Sequence, residues 1–125
     1  YDADPAQALA TYEACGKQLL ISEFSFRAKD SGLPNTRGAS PIVATPGERA
    51  AAYRRSVTTP LQPPRVVGVH WFEHADQPAE GRFDGENSNY RTVTIDDRVY
   101  EEMKEAMTRV KTAADTLHAA AGARA

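Results

Sequence analysis

RVVGVHWF, residues 65–72, is the stretch on which the fold turns. Val66, Val67, Val69, Trp71 and Phe72 make it apolar almost throughout, with no apolar–polar alternation. A strand with one wet face alternates, whereas a strand covered on both faces, as in a parallel sheet, runs continuously apolar. Upstream, LLISEFSF (19–26) reads as a second β-prone run, interrupted by one carboxylate, Glu23. No hairpin signal joins the two. Between them, Thr45-Pro46-Gly47-Glu48 has the pattern of a helix cap and opens a helix through about Thr58, which Pro60, Pro63 and Pro64 stop from continuing.

The flanks extend the same wiring. Asp4-Pro5-Ala6-Gln7 reads as a helix start, with Ala8, Leu9, Tyr12 and Cys15 on one face and Gly16 as C-cap. A long loop, Arg27 to Ala44, follows the first strand, and loops of that size in compact domains are often functional. After the second strand come a polar loop, 73–89, and a short extended piece, YRTVTI (90–95). Asp97 then caps a last helix, 98 to about 120, with Val99, Met103, Ala106, Met107 and Val110 on its apolar face. The order is helix, strand, helix, strand, helix, which predicts an α/β fold with parallel strands and right-handed crossovers. Two parallel strands do not make a stable sheet, because each needs neighbours and cover on both faces. The expectation is therefore one segment, 1–120, from the end of a larger α/β sheet or barrel, with 121–125 as a fraying tail. The absence of an initiator Met fits a piece of something longer.

Composition narrows the function. A net charge of −2 and a basic content with no block beyond Arg54-Arg55 argue against a nucleic-acid or anionic-membrane surface. Cys15, the single cysteine, excludes an internal disulfide and a cysteine metal cluster, and it leaves the redox compartment open. No apolar run is long enough to span a bilayer, and the first residues do not read as a signal peptide.

Three places could carry chemistry. Glu23 stands near the C-terminal end of the first strand, where parallel α/β folds hold their ligands. A carboxylate there can be a nucleophile, a general base, a metal ligand or simply one member of an ion pair. HWFEHADQP (70–78) closes the second strand in the matching place with His70, Trp71, His74, Asp76 and Gln77. The two histidines are four apart, but that spacing chelates a metal from a helix and this stretch reads as strand and loop, so no metal is expected. Trp71 is either core or a flat apolar platform for the C–H face of a sugar. EGRFDGENSNY (80–90) crowds Glu80, Arg82, Asp84, Glu86, Asn87 and Asn89 into one loop with two glycines. Such a loop either binds a polyhydroxylated ligand or makes Asx-turns in solvent, and its acid spacing fails the EF-hand pattern.

Taken together, ISEFSFRAKDSGLPNTRGA, GVHWFEHADQP and GRFDGENSNYRTV resemble the last third of a clan A glycoside hydrolase, of the agarase-like and β-galactosidase-like (β/α)8-barrel kind. The likeness runs from about Tyr1 to Val110 and implies the last two βα units of a TIM barrel. It implies a retaining mechanism with Glu23 as nucleophile at the end of the seventh strand and Trp71 as platform at the end of the eighth. Tyr1 would then hydrogen-bond the nucleophile, and His70, Asp76, Gln77, Arg82, Asp84, Glu86, Asn87 and Asn89 would line the sugar site. No cofactor is implied. The partner is a polysaccharide of agarose or galactan type, and the rest of the barrel is required for stability. An exported location, secreted or periplasmic, follows only from that class. The clan's acid/base glutamate lies on an earlier strand, and Glu73, Glu80 and Glu86 are poor substitutes for it. Two other readings remain: a non-catalytic carbohydrate-binding fragment, and an unrelated α/β domain in which Glu23 is structural.

Overall fold

The computed structural model describes residues 14–60 and 65–123. The first helix expected from Asp4, the side chain of Tyr1, and Pro63 and Pro64 lie outside these residues; the helical Ala14 and Cys15 and Gly16, at φ 66°, fit the expected end of that helix. The elements are β1 (Leu19–Phe24), β2 (Arg27–Ala28), β3 (Ile42–Val43), α1 (Pro46–Thr58), β4 (Val66–Trp71) and α2 (Glu101–Gly122).

β1 and β4 pair in parallel, with α1 in the crossover, as the two apolar runs predicted. Phe24 and Val69 pack beside Val57 of α1 and Val110 of α2. Trp71 joins a second cluster built on Ala50, Met103 and Ala106. One face of the strand pair is thus covered by two helices. Leu20 and Val67, by contrast, are each 54% exposed.

The helix entry at Thr45 follows the expected chemistry. Thr45 Oγ1 accepts from Glu48 N at 3.1 Å, which satisfies one donor that the first turn leaves unpaired, and Glu48 Oε2 reaches back to accept from Ala44 N, just before the cap, at 2.8 Å.

Several boundaries differ from expectation. β1 stops at Phe24, and Ser25 to Ala28 continue as a buried segment that forms a separate two-residue parallel ladder with β3. YRTVTI forms no strand; Val93 makes isolated bridges to Ala75 and Val99. Asp97 does not cap the last helix. It sits in the left-handed region at φ 60°, donating its N–H to Thr94 O, and α2 begins four residues later. Asp tolerates that conformation better than most residues, so it serves the turn instead. Val99 is consequently outside the helix and exposed, while Met103, Ala106 and Val110 hold the buried face as expected.

Candidate functional site

The C-terminal ends of β1 and β4 meet, because the strands are parallel and Phe24 pairs with Trp71. Just before that pair the register slips. Ile21 pairs with Val69 and Phe24 with Trp71, so Ser22 and Glu23 together stand opposite His70. This is a bulge, a device that re-aims a side chain and is over-represented beside active sites. Glu23 and His70 are both exposed there. Two of the expected site residues are therefore brought together at the strand ends.

Trp71 is half-buried and packed. Its ring lies 5.3 Å from Phe24 and 5.5 Å from Tyr53, both nearly edge-on, and 6.4 Å from Phe26. Much of the indole therefore faces the helices.

The polar residues of the second loop mostly point into protein. Asp76, Gln77 and Asn89 are at most 2% exposed. Asn89 uses nearly every polar atom it has. Its Oδ1 accepts from Arg49 Nη1 at 2.5 Å and from Ala28 N at 3.2 Å, its Nδ2 donates to Asp76, and its N donates to Asn35 Oδ1 at 2.9 Å. Tyr100 donates to Asp76 Oδ2 at 2.6 Å, and the Arg49 guanidinium lies 4.6 Å over the Tyr100 ring. Burial pushes the Asp76 carboxyl above its ordinary range, although Tyr100, Asn89 and the Arg49 charge pull the other way. Burial also lowers the Arg49 guanidinium, and burial followed by the Asp76 hydrogen bond raises the Tyr100 phenol.

Asn87, Ser88 and Tyr90 join this loop to the one that follows β1. Asn87 Oδ1 accepts from Thr36 N at 3.0 Å and Arg37 N at 3.3 Å. Ser88 Oγ donates to Arg37 O, and Ala39 N donates to the Tyr90 hydroxyl at 3.0 Å. Gln77 holds the loop from beneath, accepting from Ser88 N at 2.6 Å and donating to Glu86 Oε2 at 3.2 Å.

Charges gather on the outer side of the same loop. Arg82 pairs with Asp84 at 2.7 Å and Glu86 at 3.1 Å and approaches Glu73 at 3.7 Å, while Glu73 also pairs with Arg91. The hydrogen bond from Arg82 holds Asp84 below its usual pKa and raises Arg82 in turn. The peptide between Phe72 and Glu73 is cis. His74 lies on the loop, apart from the strand that carries His70, and among the described residues no three His, Cys, Asp or Glu side chains converge to hold a metal.

Sequence reasoning missed Arg27, Asn35, Arg49 and Tyr100, which complete the buried network. One signal was available: Arg49 falls four residues before Tyr53 and eight before Val57, on the stripe that faces the core.

The chain is similar to two β-agarases of Vibrio sp. (strain JT0107). It is 38% identical to Beta-agarase B over 91 residues, which is 72% of this chain and 9% of that protein. It is 35% identical to Beta-agarase A over 111 residues, 85% of this chain and 10% of that one. The solved structure of an exo-beta-agarase superposes with a TM-score of 0.84 and 31% identity, over 94% of this chain and 16% of its own. The chain thus spans about a tenth of the length of the curated relatives it matches. No protein-family model matches it. The expected resemblance to agarase-like glycoside hydrolases is borne out at that level.

Proposed function

We propose that the chain is part of the catalytic (β/α)8 barrel of a retaining β-glycosidase acting on an agarose- or galactan-type polysaccharide, and that it supplies the last two βα units. The observation that carries this reading is Glu23, exposed on a bulge at the C-terminal end of a parallel strand beside His70, in a chain similar to β-agarases. Further support comes from a β1–β4 sheet that has two strands among the described residues and from the exposed Leu20 and Val67, which neighbouring strands and helices would cover.

Glu23 is the nucleophile in this reading. One carboxylate oxygen attacks the anomeric carbon, forming the glycosyl–enzyme bond as the bond to the leaving oxygen breaks. An acid supplied by an earlier strand, outside this chain, protonates that oxygen and then takes a proton from the water that releases the sugar. Retaining enzymes hold the two carboxyls about 5–5.5 Å apart. The isolated 125 residues hold one of the pair and are expected to be inactive. Sugar contacts fall to His70, to the solvent-facing part of Trp71 and to the outer loop residues Arg82, Asp84, Glu86 and Asn87.

A 2-fluoro-galactosyl inactivator incubated with the complete enzyme should label Glu23, and azide should rescue turnover in Glu23→Gly. Labelling at another carboxylate, with activity retained in Glu23→Gln, overturns the assignment.

A further inference from the structure

The residues after Glu23 are held with unusual completeness. Ser25, Phe26, Arg27 and Ala28 are all buried, four residues in succession. Ala28 is gripped from both sides of its backbone: its N–H donates to Asn89 Oδ1 at 3.2 Å, and its C=O accepts from Asn35 Nδ2 at 3.0 Å. The two gripping residues are themselves joined, since the main-chain N–H of Asn89 donates to Asn35 Oδ1 at 2.9 Å. Closer to Glu23 on the same side, Phe24 O accepts from Phe72 N at 2.9 Å. The Glu23 carboxylate is exposed on its bulge and makes no side-chain hydrogen bond or ion pair among the described residues, so its aim depends on the backbone that these anchors fix.

From this geometry we infer that Asn89, with Asn35, is a positioning residue for the Glu23 carboxylate, acting through the Ala28 peptide, and that Asn89 does not bind sugar directly. The inference rests on the proposed role of Glu23. A bulge leaves local ladder hydrogen bonds unmade, so a strand end that carries one is free to shift unless it is clamped beyond the bulge. Phe24 gives the first hold beyond the bulge; Asn89 supplies a second from the loop after β4, and its complete burial keeps water from competing. Arg49 and Asp76 hold the Asn89 amide in one orientation, because its Oδ1 must face the cation and its Nδ2 the carboxylate.

The test uses the complete enzyme. Asn89→Ala should lower kcat by about 10²-fold per folded molecule with KM little changed, since a misplacement of about 1 Å at the reacting group has that effect. The rate of inactivation by the 2-fluoro-galactosyl reagent, which reads the attack by Glu23 alone, should fall in parallel. If Asn89→Ala does not accumulate as folded protein, Asn35→Asp decides by the same readouts; it keeps the side-chain shape and loses the donor to Ala28. A rise in KM with kcat intact would make Asn89 a sugar ligand and overturn the inference. So would a lower melting temperature with kcat and inactivation rate unchanged, which is what a merely structural role gives. Failure of Glu23 to be labelled in the wild type sinks the nucleophile reading itself, and is separate from either result.

Discussion

Gly38→Ala should be costly for a reason that lies wholly in space. A Cβ on Gly38 would fall 2.2 Å from the Tyr90 hydroxyl, 2.8 Å from Ser88 Oγ and 3.0 Å from Arg27 Nη1. The backbone at this position is outside the left-handed region, so alanine has no conformational penalty to add. Relief requires the Tyr90 hydroxyl to retreat from 2.2 Å to beyond 3.4 Å. It is not free to do so. Tyr90 is 2% exposed, its ring packs 5.4 Å from Phe72, and its hydroxyl accepts from Ala39 N while donating to Glu86. Overpacking a tight site costs about 1–3 kcal/mol. Losing the Ala39 bond leaves a donor unpaired for about 1–3 kcal/mol more. A loss of about 3–5 kcal/mol is therefore expected, a large part of the about 5–15 kcal/mol that holds a domain together. Urea denaturation of the complete polypeptide measures it, and hydrogen exchange at Thr36, Arg37 and Ala39 should accelerate first. Gly47→Ala is the control. Its Cβ meets only Thr45 Oγ1 at 3.8 Å at a helix start, and a gain of up to about 1 kcal/mol is expected. A Gly38→Ala unfolding free energy within about 0.5 kcal/mol of wild type, the range of an ordinary surface change, would show that the site has room for the methyl group.

Two further outcomes probe the buried network. Arg49→Met should destabilise by about 2–3 kcal/mol in denaturant melts, at or below the low end for breaking a buried pair. Two of its nitrogens, Nε and Nη2, are buried with no hydrogen-bond partner among the described residues, so part of the desolvation cost is relieved on removal. Asp76 titrates above its ordinary value, so its stabilising contribution is complete below the unfolded pKa and is lost as pH rises through the folded one. Relative to Asp76→Asn, the wild type should gain stability as pH falls through the folded pKa, and the carboxyl carbon shift of Asp76 should report a midpoint above the usual carboxylate range.

The loop 80–90 shows how polar residues of one kind divide between two tasks. Read as a string, Asp76, Gln77, Asn87 and Asn89 look alike, a set of amides and acids suited to sugar hydroxyls. In space Asn87 is half-exposed and hydrogen-bonds the neighbouring loop, while Asp76, Gln77 and Asn89 are buried beneath it. Nothing local distinguishes them, because burial is decided by what arrives from elsewhere in the chain: Arg49 forty residues before Asn89, and Tyr100 eleven after it. The same holds for Trp71, whose indole is packed by Tyr53 of α1.

The sequence was enough to read the strand–helix–strand–helix order, the parallel pairing and the cap at Thr45. Those features follow from short-range rules: continuous apolar runs, helical stripes, and a hydroxyl three residues before a carboxylate. It also placed Glu23 at a strand's C-terminal end. Long-range packing was needed to put Glu23 on a bulge beside His70, and to bring an asparagine 66 residues away from it onto the Ala28 N–H just beyond. Register and burial depend on pairs of residues distant in sequence, and a one-residue slip in register reverses the facing of every side chain that follows.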